Sequence, residues 1–205
     1  MELPAVELRP VRRADFPLVC RWLADPLVAR WWDDDSSPDA VEAHYGPAVD
    51  GADTTAVYLG MHEGRVFGLV QVYRFDDEPE SLAELSTVCP VPPGALSIDY
   101  LVGEPDARGR GLGAGMIAAA VARGFADHPD AGEVLVPVVA ANEASWRALE
   151  RAGGVRYATG ELTPDNPVDS REHVVHRFAR PQGGGASLPG RRTSTAGSRR
   201  RRTAG

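Results

Sequence analysis

The sequence of 205 residues contains no lysine, so all 22 of its basic side chains are arginines. A nucleotide-binding P-loop ends in Gly-Lys-Ser or Gly-Lys-Thr, and that phosphate site is therefore excluded. Cysteine is scarce as well, since Cys20 and Cys89 can form neither a disulfide framework nor a multi-thiolate metal site. No apolar run reaches the ~20 residues that span a bilayer, and the N-terminus lacks a signal-peptide pattern. We therefore expect a cytoplasmic protein with no metal and no membrane partner.

The charge of the chain is unevenly distributed. Residues 1–180 hold 16 arginines against 29 acidic side chains, a net charge of −13. An acidic surface attracts cations and repels nucleic acid, which argues against nucleic acid as the main partner. Residues 181–205 hold six arginines and no acid, and their only large apolar residue is Leu188. We predict that this Arg/Gly/Ser-rich tail is disordered.

Hydrophobic patterns predict one α/β domain over residues 5–180. Short apolar runs predict strands and amphipathic runs predict helices, in the order β-α-α-β-β-β-α-β-α-β-β. This order is typical of a mixed sheet with helices on its faces. Residues 27–32 are predicted as one further helical turn, residues 38–45 as a short helix, and the acidic, proline-bearing residues 76–94 as a long loop.

The most informative segment comprises residues 97–115. A strand pattern passes into a loop, and a predicted helix over residues 109–127 opens with glycines at positions 109, 111, 113 and 115. Glycine lets a ligand approach the backbone closely, and the first turn of a helix offers unpaired N–H groups. Both features favour a phosphate or pyrophosphate. A dinucleotide fold is disfavoured because its G-x-G-x-x-G spacing is missing, while a merely tight strand-to-helix turn stays open.

The run Arg108-x-x-Gly111-x-Gly113, preceded by G-E-P-D, resembles the pyrophosphate loop of the GCN5-related N-acetyltransferases, the GNAT family. Residues 7–32 and 141–154 resemble the aminoglycoside 6'-N-acetyltransferase-like branch of this family, and siderophore-type lysine acyltransferases share much of the pattern. The resemblance implies a GNAT-type acyl-CoA N-acyltransferase fold, with acetyl-CoA as co-substrate and an amine as acceptor.

The same resemblance implies a set of cofactor-binding residues. Backbone N–H groups of the glycine-rich loop would surround the pyrophosphate, and the strand before it would pair with the pantetheine amides. An asparagine would hydrogen-bond the pantetheine arm, although it is equally well explained as a plain helix N-cap. The expected residues are Leu101, Val102, Gly103, Arg108, Gly109, Arg110, Gly111, Leu112, Gly113, Ala114 and Asn142.

Asp99 is the predicted catalytic base. An aliphatic ammonium group loses its proton only at pH ~10, so a carboxylate must hold it and accept the proton. An acid in the middle of an apolar strand is costly to bury without a purpose, and partial desolvation raises its pKa towards a useful basicity. The aspartate at this position of the resembled branch has the same proposed role. A structural aspartate paired with an arginine is the alternative.

Two positions depart from the pattern of the resembled branch. Leu149 stands where many relatives have a tyrosine as general acid. The leaving thiolate is then protonated by Tyr157 or by a water molecule, or it leaves without a general acid. Pro137 stands where an acid is common, which removes one anchor for a polycation. Loop acids still favour a cationic amine, and the expected substrate-binding residues are Trp32, Asp33 and Asp99.

Together these features predict an acetyl-CoA-dependent N-acetyltransferase. It would transfer the acetyl group to a primary amine of a small cationic, aminoglycoside-like molecule. The transfer would be direct, without a covalent enzyme intermediate, because neither cysteine lies near the glycine-rich loop in sequence to serve as a nucleophile. Two alternatives stay open. One is an acyltransferase for a lysine-like siderophore precursor or a protein amine, and the other is a non-catalytic acyl-CoA sensor. A monomer and a homodimer are both compatible with the sequence.

Overall fold

A computed structural model describes residues 2–181, so the predicted tail lies outside the described residues except for Pro181. The described part contains seven strands and six α-helices. The strands are β1 (Glu7–Pro10), β2 (Ala56–His62), β3 (Arg65–Arg74), β4 (Leu96–Val102), β5 (Glu133–Val139), β6 (Val155–Glu161) and β7 (Glu172–Ala179). The helices are α1 (Phe16–Leu23), α2 (Pro26–Trp32), α3 (Pro38–Asp50), α4 (Pro79–Leu85), α5 (Leu112–Asp127) and α6 (Glu143–Arg151).

All seven strands form one mixed sheet in the order β1-β2-β3-β4-β5-β7-β6. β4 and β5 run parallel, and every other neighbouring pair is antiparallel. The long crossover between β4 and β5 contains α5, as a parallel connection requires. This arrangement confirms the predicted class of a mixed sheet with helices on its faces.

Apolar clusters cover the two faces of the sheet and fix the orientation of β4. Met116 of α5 is fully buried against a cluster that includes Ile98. On the opposite face Trp22 of α1 packs in a cluster that includes Leu101. Because side chains alternate along a strand, Asp99 shares its face with Leu101, on the side of α1 and α3.

The predicted long loop over residues 76–94 is wrong in part, because α4 lies within it. Pro79 occupies the first turn of this helix, where a missing N–H costs nothing. Leu85 is 2% exposed and packs with Phe75 in a third apolar cluster. The acidic residues of this stretch suggested a loop, but a short helix forms there because of this packing rather than because of helix propensity.

Other helix boundaries also differ from those predicted. Residues 27–32 belong to α2, which begins at Pro26. Asp25 is its N-cap, and the Asp25 side chain accepts a hydrogen bond from the Leu27 N–H. α3 extends beyond residue 45 to Asp50, with Pro47 inside it. α5 begins three residues later than predicted, so the first two glycines of the loop stay outside the helix.

Candidate active site

A cleft opens where β4 and β5 separate. These parallel neighbours pair only at Leu96 and Val134, and three adjoining cavities lie along their C-terminal halves or beside them. The loop groove, of about 690 Å³, is lined by α2, α6, the end of β4 and the glycine-rich loop. The central pocket, of about 400 Å³, is lined by Asp99, Pro137 and His173 among others. The acidic lobe, of about 580 Å³, shares Asp99 with the central pocket and adds Glu78.

Most of the predicted cofactor-binding residues lie together in the loop groove. Three do not line it. A Cβ on Gly103 would lie 2.1 Å from the Trp22 ring, Arg110 lines a separate cavity of about 40 Å³, and the Leu112 side chain is 4% exposed in the core. Those that line it are Leu101, Val102, Arg108, Gly109, Gly111, Gly113, Ala114 and Asn142.

The glycine-rich loop forms one wall of the groove and leads into the first turn of α5. Gly109 and Gly111 have φ angles of 72° and 82°, a left-handed conformation that other residues adopt only with strain. Gly111 caps α5, and the Gly115 N–H bonds back to the Gly111 carbonyl at 3.1 Å. The three N–H groups between them have no acceptor within the helix, since the first turn always lacks one. This turn can therefore hold an anion such as a pyrophosphate.

The Arg108 side chain braces the loop rather than extending into the groove as a free charge. Its guanidinium donates to the Val102 carbonyl at 3.1 Å and to the Gly103 carbonyl at 3.3 Å. It also forms an ion pair with Asp25 at 3.1 Å, which ties the loop to the start of α2. A second arginine, Arg151 of α6, lies beside Gly111, within 3.2 Å of where a Cβ on that glycine would stand.

Arg151 was missed by the sequence reasoning. Its place near the loop depends on the packing of α6 against α5, for which the local sequence gives no signal.

Five side chains line both the loop groove and the central pocket, and so mark their junction: Trp31, Trp32, Tyr100, Asn142 and Ser145. The Tyr100 hydroxyl lies 2.6 Å from the Ser145 hydroxyl, and burial raises the pKa of Tyr100. Asn142 caps α6 through its carbonyl oxygen, which accepts from the Ser145 N–H at 3.2 Å. The cap uses only that oxygen, so the N-cap role and a ligand contact from the amide nitrogen are compatible.

Asp99 lies where the central pocket and the acidic lobe meet. The Asp99 side chain is exposed to the cleft, yet desolvation by the protein walls around it raises the pKa of its carboxyl from 3.8 to about 7, and the negative charge of Asp165 adds to the rise. The Tyr73 hydroxyl opposes the rise as a hydrogen-bond donor, and Asp34 and Glu78 strengthen it. No ion pair holds Asp99 in the described structure, in contrast to the alternative of a structural aspartate paired with an arginine. A carboxyl with this pKa can accept a proton near neutral pH.

Two further acids approach Asp99 from loops that the sequence does not connect. Asp34 follows α2 and Asp165 lies between β6 and β7, and both line the central pocket. Desolvation raises the pKa of each, and the charge of Asp34 adds to the rise at Asp165. Among the described residues that line the central pocket and the acidic lobe there is no arginine. His44 and His173 also line these cavities and partly offset the acids, lowering the pKa of Asp34 and of Asp165 respectively, so the pocket carries an excess of acidic over arginine side chains.

The predicted substrate-binding residues Trp32 and Asp33 also line the central pocket. Asp33 ends α2 in a left-handed conformation with φ of 50°. This turn brings the following residue, Asp34, to the pocket as well. The sequence singled out the first acid of the D-D-D run, and it had no means of deciding how the chain turns after the helix.

Neither candidate tyrosine position supplies a general acid in the cleft. Leu149 is 0% exposed and packs in the cluster beneath α5. The Tyr157 ring lies under the Arg177 guanidinium at 4.7 Å, and Tyr157 is not among the residues lining the three cavities. The hydroxyls of Tyr100 and Ser145 are the O–H groups at the junction.

The remaining candidate chemistry is outside the cleft. Cys20 is partly buried and Cys89 is buried, and neither lines the three cavities. No group of His, Cys, Asp or Glu side chains within residues 2–181 is arranged to hold a metal ion. In the same part of the chain, no helix has the length and apolarity needed to cross a membrane.

Comparison with solved structures finds the same architecture in aminoglycoside acetyltransferases. AAC(6')-Ib in complex with acetyl-CoA superposes with a TM-score of 0.73 at 25% identity, covering 86% of this chain and 94% of the other. The same enzyme in complex with coenzyme A and kanamycin gives a TM-score of 0.72 at 25% identity over 86% and 95% of the two chains. An uncharacterised protein from Bacillus halodurans shares the fold at 16% identity with a TM-score of 0.69, covering 85% and 83%.

Sequence comparison gives a consistent result. The aminoglycoside N(6')-acetyltransferase type 1 of Klebsiella pneumoniae is 27% identical over 167 residues, which cover 80% of each chain, and its counterpart in Serratia marcescens matches equally. The family model of the acetyltransferase (GNAT) domain matches residues 12–162, well over half of the sequence. This chain therefore belongs to the GNAT family of acetyltransferases.

Proposed function

We propose that the protein transfers an acetyl group from acetyl-CoA directly to a primary amine of a small polycationic molecule of the aminoglycoside type. The observation that carries this proposal is the continuity of the cleft. The loop groove, which is suited to a pyrophosphate, joins an arginine-free acidic pocket at a junction next to Asp99. A donor and a cationic acceptor can thus meet there without a covalent intermediate.

The cofactor fits the loop groove in three parts. The pyrophosphate would accept from the N–H groups of the first turn of α5, with Arg151 nearby. The pantetheine arm would follow the free edge of β4 at Leu101 and Val102, and Asn142 would hold it from α6. This path brings the acetyl carbonyl to the junction, where a backbone N–H of β4 can stabilise the oxyanion.

The reaction needs one base and one proton for the leaving group. Asp99 takes a proton from the acceptor ammonium, and the neutral nitrogen attacks the carbonyl carbon. The C–S bond then breaks as the amide forms, and the second amine proton goes to the thiolate. In this proposal the Tyr100 and Ser145 hydroxyls donate to the sulfur during this step, which their position at the junction supports. Asp99 finally releases its proton to water.

The acidic surroundings of Asp99 favour an acceptor with more than one ammonium group. The charges of Asp34 and Asp165 raise the pKa of Asp99, and the charge of Asp34 raises that of Asp165, while a single ammonium neutralises only one of these carboxylates. A second and a third ammonium group on the same molecule would neutralise the remaining carboxylates. An aminoglycoside has this character, whereas a protein lysine has one amine. Asp165 comes from another loop and lines the same pocket as Pro137, so it would serve in place of the acid that is absent there.

The direct test is thiol release from acetyl-CoA with a panel of amines: kanamycin, spermidine, N6-hydroxylysine and a lysine-containing peptide. We expect kcat/KM for kanamycin to exceed that for the peptide at least tenfold. A preference for the hydroxylysine or the peptide would instead support the siderophore or protein-amine alternative. CoA binding without turnover of any amine would support the sensor.

Asp99→Asn tests the role of the base within the same assay. Turnover should fall at least tenfold while CoA binding stays nearly intact, and for the wild type kcat/KM should rise with pH up to about 7, since the ionised carboxylate is the active form. Asp77→Asn, an exposed acid outside the cleft, is the matched control. Unchanged turnover in Asp99→Asn would contradict the proposed role.

A further inference from the structure

The helix that walls the loop groove is fastened to the loop that walls the central pocket. Arg30 of α2 donates two parallel hydrogen bonds to the Asp169 carboxylate, at 2.7 and 2.5 Å. The Asp169 side chain is 4% exposed although it lies in the β6–β7 loop. The Arg30 side chain is 42% exposed, and the two parallel bonds set the distance and angle between its guanidinium and the carboxylate.

The β6–β7 loop is shaped to present this carboxylate. The Asn166 side chain accepts from the Val168 N–H at 3.1 Å, and the Asn166 carbonyl accepts from the Asp169 N–H at 3.0 Å. The Asn166 amide also donates to the Arg30 carbonyl at 3.2 Å. The loop therefore holds both the side chain and the backbone of Arg30.

The contact reaches both cavities. The Arg30 guanidinium stacks on the Trp31 ring, 4.4 Å from its centroid, and Trp31 lines the loop groove and the central pocket. On the other side of the contact, Asp165 precedes Asp169 in the loop and lines the central pocket. These contacts thus join the wall of the groove to the loop that carries Asp165.

We propose that the Asp169–Arg30–Trp31 contact, the clamp, makes Arg30 and Asp169 positioning residues that couple the two cavities. Filling the loop groove with CoA orders α2, and the clamp transmits this order to the β6–β7 loop and to Asp165. Acceptor binding then needs less ordering, so each ligand tightens the binding of the other by the same factor. The acceptor half of this inference rests on the proposed function.

The test compares variants that keep the fold but break the geometry. Arg30→Lys retains the charge next to Asp169 and loses the bidentate bonds and the stacked guanidinium plane. The matched control is Arg13→Lys, because Arg13 forms an equally bidentate pair with Asp50, at 2.6 and 2.8 Å, away from the three cavities. Asp169→Asn tests the clamp from the other partner.

The first readout is hydrogen exchange with CoA alone. In the wild type and in Arg13→Lys, CoA should slow the exchange of the amides at residues 163–171 at least fivefold. In Arg30→Lys and Asp169→Asn the slowing should fall below twofold, while the affinity for CoA changes less than threefold. Equal protection of the loop in Arg30→Lys and the wild type, or no protection in the wild type, would overturn the clamp.

The second readout is calorimetric binding of kanamycin to the full chain with and without CoA. We expect at least fivefold tighter binding in the presence of CoA for the wild type and for Arg13→Lys, and less than twofold for Arg30→Lys. Coupling that persists in Arg30→Lys would refute the inference. A wild type that binds CoA, protects its loop and binds no amine would refute the proposed acceptor class and leave the clamp supported by the exchange data.

Discussion

Asp99→Asn should stabilise the folded protein at and above neutral pH, even though it removes the proposed base. The wild-type carboxyl has its pKa raised from 3.8 to about 7 in the folded state, chiefly by desolvation and then by Asp165. Between these two pH values the folded state binds more protons than the unfolded state. Its stability therefore falls as the pH rises from about 4 to about 7. Asparagine carries no charge, so this loss of stability with rising pH is absent in the variant.

The size of this gain follows from the pKa shift. A change of one pKa unit corresponds to about 1.4 kcal/mol, so the rise of the Asp99 pKa from 3.8 to about 7 corresponds to roughly 4 kcal/mol. The carboxylate is open to cleft water, which screens its charge, so we expect a net gain of about 1–2 kcal/mol at pH 8. For a domain of this size that corresponds to a melting temperature higher by roughly 2–8 °C. At pH 5 only about a third of the gain should remain, because little of the titration window has been crossed.

Urea denaturation of the wild type and the variant at pH 5 and pH 8 measures this difference. Asp77→Asn, an exposed acid outside the cleft, controls for the loss of one negative charge. A destabilised Asp99→Asn protein, or a gain of the same size at both pH values, would show that the pKa of Asp99 is not raised in the folded state. A gain at pH 8 together with lost turnover would mark a residue kept for chemistry at the expense of stability.

Three other substitutions test the site at different points. Gly103→Ala should cost about 1–3 kcal/mol in urea denaturation because its Cβ would overlap the Trp22 ring, whereas Gly132→Ala, with nothing within 4 Å, should be tolerated. Leu149→Tyr should lose about 1–3 kcal/mol by overpacking a fully buried position, and a rise in turnover would contradict its place in the core. Arg108→Ala should weaken CoA binding at least fivefold by calorimetry, since the loop loses its hydrogen bonds to two carbonyls of the strand end; an unchanged affinity would contradict the bracing role.

The features that the sequence predicts well are those set by local chemistry. Gly109, Gly111 and Gly113, the strand with Asp99 and the Asn142 cap each depend on a few neighbouring residues, and the structure brings them to the same cleft. Asp99 could be singled out because an acid in an apolar strand is conspicuous. These features also carry the resemblance to the family.

The features that escaped prediction depend on contacts between distant segments. Asp165 enters the pocket through the β6–β7 loop, and Arg30 meets Asp169 across 139 positions of sequence. Nothing in a run of loop acids indicates which one turns inward, because every such residue is compatible with solvent. α4 was hidden for a related reason, since its burial comes from a cluster with Phe75 that only the tertiary structure creates.

The separation of β4 from β5 has a consequence for inhibition. β4 pairs with β3 along its whole length, from Leu96 to Val102, but with β5 only at Leu96. An unpaired strand edge can pair with another chain, and this edge lines the cleft between β4 and β5 rather than the outside of the sheet. Water must satisfy its backbone groups until an extended molecule displaces it. For a short, uncharged compound with alternating amide donors and acceptors, this edge therefore offers hydrogen-bond partners that are separate from the anion-binding turn.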